Sequence, residues 1–119
     1  MQGLEGFEGS GTFFYHHQYY FGPEQTFAFY VTCSMSSSEA EKYLAKITLK
    51  NKNDKRMGLT NIQYVISMDS APRDKKEVLA SKSVMFIPWR LMSGFLKWRT
   101  ETDGNQSAKI VTTVEIIDE

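Results

Sequence analysis

The stretch Thr26-Phe27-Ala28-Phe29-Tyr30-Val31-Thr32-Cys33 decides the fold, together with the residues from Ser34 to Ile66. Phe27, Phe29, Val31 and Cys33 alternate with Thr26, Ala28, Tyr30 and Thr32. A period of two gives one strand with two unlike faces. Ser36-Ser37-Ser38 then leads into Glu39-Ala40-Glu41-Lys42-Tyr43-Leu44, which reads as a capped helical turn because a serine oxygen can accept from a free N–H at a helix start. Ala45 to Lys50 returns to alternation, with Ile47 and Leu49 on one side. Asn51-Lys52-Asn53-Asp54-Lys55 is turn chemistry. Leu59 to Met68 alternates again, and the pattern predicts Ile62, Tyr64, Ile66 and Met68 on one face. The order is two strands, a charged interruption, and a hairpin.

Working outward, Thr12 to Phe21 is a strand candidate dense in aromatics, ended by Gly22-Pro23. Ala71 to Glu77 is a charged loop, and Val78 to Ser83 predicts one helical turn. Val84 to Ile87 is a short strand, since Pro88 cannot donate to a ladder. Trp89 to Phe95 predicts a short helix, and Thr102-Asp103-Gly104-Asn105 a second turn. The closing strand puts Ile110, Thr112, Val114 and Ile116 on one face and Val111, Thr113, Glu115 and Ile117 on the other. Short strands in this number, with no long amphipathic helix between them, specify an all-β fold: an antiparallel β-sandwich with one or two short helical turns. The predicted core is Phe27, Phe29, Ile47, Leu49, Tyr64, Ile66, Phe86 and Val114. Residues 1–11, with four glycines, read as a flexible N-terminal arm or a partial first strand, and residues 12–119 as the sandwich domain.

At 119 residues the chain is one domain with room for one core. Its formal net charge is zero, which suits nucleic acid poorly, because phosphate binding needs basic surface. No nucleic-acid partner is expected. No apolar run approaches the roughly 20 residues of a membrane-spanning helix, so no membrane partner is expected either. Residues 1–10 lack the basic start and apolar centre of a signal peptide. Cys33 is the single cysteine, so no intrachain disulfide forms. That fits a reducing compartment, the cytoplasm or also the nucleus.

No catalytic constellation competes with the interaction reading. His16 and His17 adjoin on a strand and therefore point to opposite faces, which denies them a shared metal ion. Cys33 ends an apolar strand face and reads as a buried structural thiol. No residue is nominated as acid, base or nucleophile, so the chain is not expected to be an enzyme, and no cofactor or metal is expected. Phe13, Phe14, Tyr15, Tyr19, Tyr20 and Phe21 place aromatics on both faces of one strand. One face then serves as a binding platform, or both are covered within the fold. The basic tip Lys50, Lys52, Lys55 and Arg56, offset by Asp54, reads as a solvated turn. Trp98 reads as a lid on the core, and Trp89 with Arg90 as either a lid or an interface anchor.

Three segments carry a resemblance to a known family: Phe27-Ala28-Phe29-Tyr30-Val31; Glu39-Ala40-Glu41-Lys42-Tyr43-Leu44-Ala45-Lys46-Ile47-Thr48-Leu49; and Arg56-Met57-Gly58-Leu59-Thr60. In their order and turn positions they resemble the C-terminal substrate-binding domain of seven-in-absentia proteins, which are RING-type ubiquitin ligases. Ser83-Val84-Met85-Phe86-Ile87-Pro88 is similar to a strand of that domain and of the wider TRAF-like (MATH) fold. The resemblance spans about Phe13 to Glu119. It implies a TRAF-like sandwich over residues 12–119. It further implies a protein-interaction module that binds substrate or adaptor peptides in extended form, and a homodimer. The family's groove strands correspond to residues 1–12, so Leu4, Phe7 and, on the last strand, Val111 are the peptide-binding residues it implies. The family's groove tryptophan and methionine have no counterpart, nor does this chain contain the RING or the paired zinc fingers. The alternative from the residues themselves is a carbohydrate- or small-ligand-binding sandwich using Tyr15, Tyr19 and Tyr20, whose polar neighbours are His and Gln rather than Asp, Asn or Glu.

Overall fold

The computed structural model describes residues 2–9, 12–51, 58–100, 102–104 and 106–118; side chains are described for these except 2–9, 12–13, 97–99 and 106–109. The strands are β1 (Gln2–Gly9), β2 (Thr12–Phe21), β3 (Thr26–Cys33), β4 (Tyr43–Lys50), β5 (Gly58–Tyr64), β6 (Ile66–Ser67), β7 (Met85–Pro88), β8 (Lys97–Thr100), β9 (Gln106–Lys109) and β10 (Val111–Asp118). Three short helices are α1 (Ser37–Ala40), α2 (Lys75–Ala80) and α3 (Trp89–Met92). The first sheet runs β1-β2-β3-β6, with β7 also on β3. The second runs β10-β4-β5, and β8-β9 is a separate hairpin. All pairings are antiparallel except β3 with β6. The chain is an all-β, sandwich-like fold with few short helices. None of the described helices is long and apolar enough to cross a membrane.

Between the sheets lies the main core. Phe14 from β2, Phe27, Phe29, Val31 and Cys33 from β3, and Ile87 from β7 meet Ala45, Ile47 and Leu49 from β4. Ile110, Val114 and Ile116 pack on this cluster from the β10 side, as their parity predicts. Tyr43 meets Phe14 edge to face at 5.7 Å, and Trp89 stacks on Phe27 at 6.0 Å, closing one end of the core as a lid. Every residue of β3 from Phe27 to Cys33 is buried. Its second face, Ala28 and Tyr30, joins Val78 of α2 and Val84 in a smaller cluster, with Tyr19, Phe21 and Ile66 packed around it. On β2, Phe14 and Tyr20 thus pack into the main core, and Tyr19 and Phe21 into the outer cluster that contains Val78 of α2.

Local chemistry sets the breaks. Ser36 caps α1, its side chain accepting from the Glu39 N–H. Asp74 caps α2: its Oδ1 accepts the Glu77 N–H at 2.9 Å, while Glu77 Oε2 accepts the Arg73 N–H at 2.8 Å. That reciprocal cap starts the helix at Lys75, three residues before the expected start at Val78. Gly104 sits at φ +88° in the turn between β8 and β9, a left-handed position that glycine fills without strain.

One expectation fails in an instructive way. Leu59 to Met68 is not a single strand. It breaks at Val65, and Ile66–Ser67 cross to the first sheet, parallel to β3 with Ile66 opposite Thr32. Register with β4 decides which parity of β5 faces inward. Leu49 and Ile47 are fully buried, so their partners Leu59 and Asn61 share that face, and Gln63 and Val65 continue it. Ile62 and Tyr64 therefore face solvent, at 56% and 59% exposure, and Met68 lies in a 3-10 turn, also exposed. Of the predicted core, Tyr64 and Phe86 are exposed, and Ile66 belongs to the outer cluster. Gln63 is buried instead because its Nε2 donates to the Phe29 carbonyl across the two sheets at 3.2 Å.

Candidate functional site

The apolar row that does not enter the core marks the site. Ile62 and Tyr64 stand on the outer face of β5, and Leu44, opposite Tyr64, lies beside them on the same face. A cavity of about 340 Å³ wraps this strand, lined by Leu44, Asn61, Ile62, Gln63, Tyr64, Lys82 and Val84. Among the described residues β5 pairs with β4 alone, so its other edge is open.

The hydrogen-bond phase of that edge follows from one contact. The Val65 N–H donates to the Tyr43 carbonyl at 3.5 Å. Bonded and non-bonded pairs alternate in an antiparallel ladder. Gln63 and Asn61 therefore share the phase of Val65 and turn their main-chain groups toward β4. Thr60, Ile62 and Tyr64 turn theirs outward.

Polar groups frame this edge. Lys82 is exposed on one side, and Lys46 lies opposite Ile62 on β4. Neither makes an ion pair among the described residues. Gln63 is only 8% exposed, and its Oε1 has no hydrogen-bond partner among the described residues. A buried acceptor without a donor costs about 1–3 kcal/mol.

The residues implied by resemblance lie elsewhere and apart. Leu4 and Phe7 belong to β1, opposite His17 and Phe14, at positions of opposite parity; their side chains lie outside the described residues. Val111 begins β10, opposite Lys50, in the other sheet. The backbone thus places Leu4 and Phe7 in the first sheet and Val111 in the second. Of the basic tip, residues 52–57 lie outside the described residues, as does the side chain of Trp98.

His16 and His17 do point to opposite faces. His16 is buried and stacks on Phe29 at 6.1 Å. His17 stacks on Tyr30 at 4.5 Å, and its Nε2 is 2.8 Å from Thr32 Oγ1. Burial, with a smaller contribution from His16, lowers the His17 pKa to about 4. Cys33 is fully buried, and burial pushes its thiol pKa up, which keeps it protonated and unreactive. No group of three or more His, Cys, Asp or Glu able to hold a metal occurs among the described residues. Compared with the models of known protein families the chain matches none, and no curated protein matches it.

Proposed function

We propose that this chain is a protein-interaction module that binds an extended segment of a substrate or adaptor protein as an added strand on β5. The open β5 edge beneath an exposed Ile62–Tyr64 row carries the reading. An added strand draws affinity from main-chain bonds to Thr60, Ile62 and Tyr64, and sequence choice from alternate side chains. Apolar side chains suit the Leu44–Tyr64 surface. An acidic side chain suits Lys82 and Lys46, which lack ion-pair partners among the described residues. The resemblance to the substrate-binding domain of seven-in-absentia ubiquitin ligases supports the same class of function, with this chain as the recognition part rather than the ligase, and it adds a homodimer. The edge used here is β5 rather than the β1 strand that carries Leu4 and Phe7.

The test is a peptide array of apolar segments with one acidic residue, run beside a glycan array. Ile62→Pro is the diagnostic variant. Its missing N–H is one that faces outward, so the β4 ladder survives while the added strand loses a donor. Peptide capture by the parent chain and its loss in Ile62→Pro, with an unchanged circular dichroism spectrum, is the expected result. Capture of glycans alone would replace this reading with the carbohydrate-binding one.

A further inference from the structure

A second cavity lies on the outer face of the first sheet and shares no lining residue with the cavity beside β5. The outer face of β2 and β3 carries Tyr19, Phe21 and Tyr30 as nearly parallel rings. Tyr19 and Phe21 are 6.2 Å apart at 5°, and Tyr19 and Tyr30 are 5.9 Å apart at 12°. Burial, with a smaller contribution from the neighbouring Tyr19, pushes the Tyr30 hydroxyl pKa up. The segment entering α2 forms the facing wall, and about 100 Å³ remains between them.

That wall is preorganised, and its charges are unequally used. Asp74 Oδ1 and Glu77 Oε2 each accept one N–H at the helix start. Lys75 pairs with Glu24 and sits over the Phe21 ring, 5.6 Å from its centroid. Arg73, which also lines the cavity, gives only its main-chain N–H; its guanidinium makes no hydrogen bond or ion pair among the described residues. One uncommitted planar cation therefore borders a slot walled by parallel rings.

From this juxtaposition we propose that the slot binds one aromatic ring carrying an anionic group, a phosphate ester or a carboxylate. The volume is about 100 Å³, below the roughly 150 Å³ of an engineered cavity that encloses benzene, so the slot takes part of a single ring and leaves its anionic group at the rim. It is too small for a sugar chain or a peptide backbone. A flat ring continues the parallel array, where offset stacking is favourable. The guanidinium is the donor set that matches a phosphate or carboxylate in two-point contact. Such an anion has two sources, a free aromatic acid or a phosphorylated tyrosine of another protein.

The experiment titrates the full chain with phenyl phosphate and follows the aromatic proton–carbon resonances of Tyr19 and Phe21. Inorganic phosphate and benzyl alcohol serve as the charge-only and ring-only controls. Saturable shifts with phenyl phosphate and much weaker ones with either control are expected. Arg73→Ala weakens binding by at least about tenfold, the effect of losing a charge-assisted hydrogen bond. Phe21→Leu also weakens it. Lys76→Ala, an exposed cation that does not line the slot, leaves it unchanged. A phosphotyrosine tetrapeptide binding more tightly than phenyl phosphate identifies a modified protein as the source; equal affinity identifies a free acid. Equal binding of inorganic phosphate, unmoved Tyr19 and Phe21 resonances, or full affinity in Arg73→Ala overturns the proposal.

Discussion

Both sheets carry an apolar row on the outer face, yet only one of the two rows is covered. On the first sheet, α2 lays Val78 over Ala28 and Tyr30, and the result is a second small core. On the second sheet nothing described lies over Ile62 and Tyr64, which remain more than half exposed. The same residue types thus serve stability on one face and are left available on the other. Composition does not separate the two cases. What separates them is whether a later segment, here the capped helix after Asp74, folds back to cover the row.

The sharpest test of this comparison sets the inner core against both outer faces. Phe29 is fully buried between the sheets, so Phe29→Ala is expected to cost about 3–5 kcal/mol in urea unfolding. A cost near that of a surface change would show that the sheets do not share one core. Next in size is the loss of the helix cap. Asp74→Ala removes the oxygen that accepts from Glu77 and is expected to cost about 0.5–2 kcal/mol. It should also raise amide exchange over α2 while leaving β5 unchanged.

A smaller effect is expected from pH, and it too belongs to the covered face. The folded-state pKa of His17 is about 4, below the ordinary value of 6.5. The unfolded chain therefore binds the proton more readily between those values. His17 contributes fully above about pH 6.5, and that contribution declines as pH falls toward about 4. The urea midpoint should drop over this window, and His17→Gln should flatten the drop. Solvent screening of this half-buried ring keeps the effect modest. The smallest change is expected on the open face. Ile62→Lys should alter stability by no more than about 0.5 kcal/mol while abolishing peptide capture. A large loss of stability there would mean that the Ile62–Tyr64 row is structural after all.

Strands β2, β3, β4 and β10 are legible in the sequence because their apolar parity coincides with the buried face. Ser36 announces α1 by its capping chemistry. The parity of β5 misleads, because Ile62, Tyr64, Ile66 and Met68 form the stronger apolar row but register with Ile47 and Leu49 turns Gln63 inward. No local pattern contains that register, which depends on the span joining β4 to β5. The break at Val65 is equally hidden, since it answers to a pairing with Thr32 far back in the chain. For α2 a readable signal does exist: Asp74 followed three residues later by Glu77 is a capping box. The candidate site is visible as an apolar row, but its pattern alone assigns it to the wrong side of the strand. Leu4, Phe7 and Val111 rest on resemblance alone, and no apolar parity in the sequence singles them out.

The crossing at Val65 has a mechanical consequence. A single residue separates the last position of β5 from the first of β6, and those positions belong to different sheets. A tether that short allows almost no slack, at about 3.3–3.6 Å per residue. A load applied along β5 is therefore delivered directly to the short parallel pair on β3 and not dissipated in a loop. Any partner that pulls on the open edge of the second sheet pulls on the first sheet as well, and the strain is expected to show in the amides of Thr32 and Cys33.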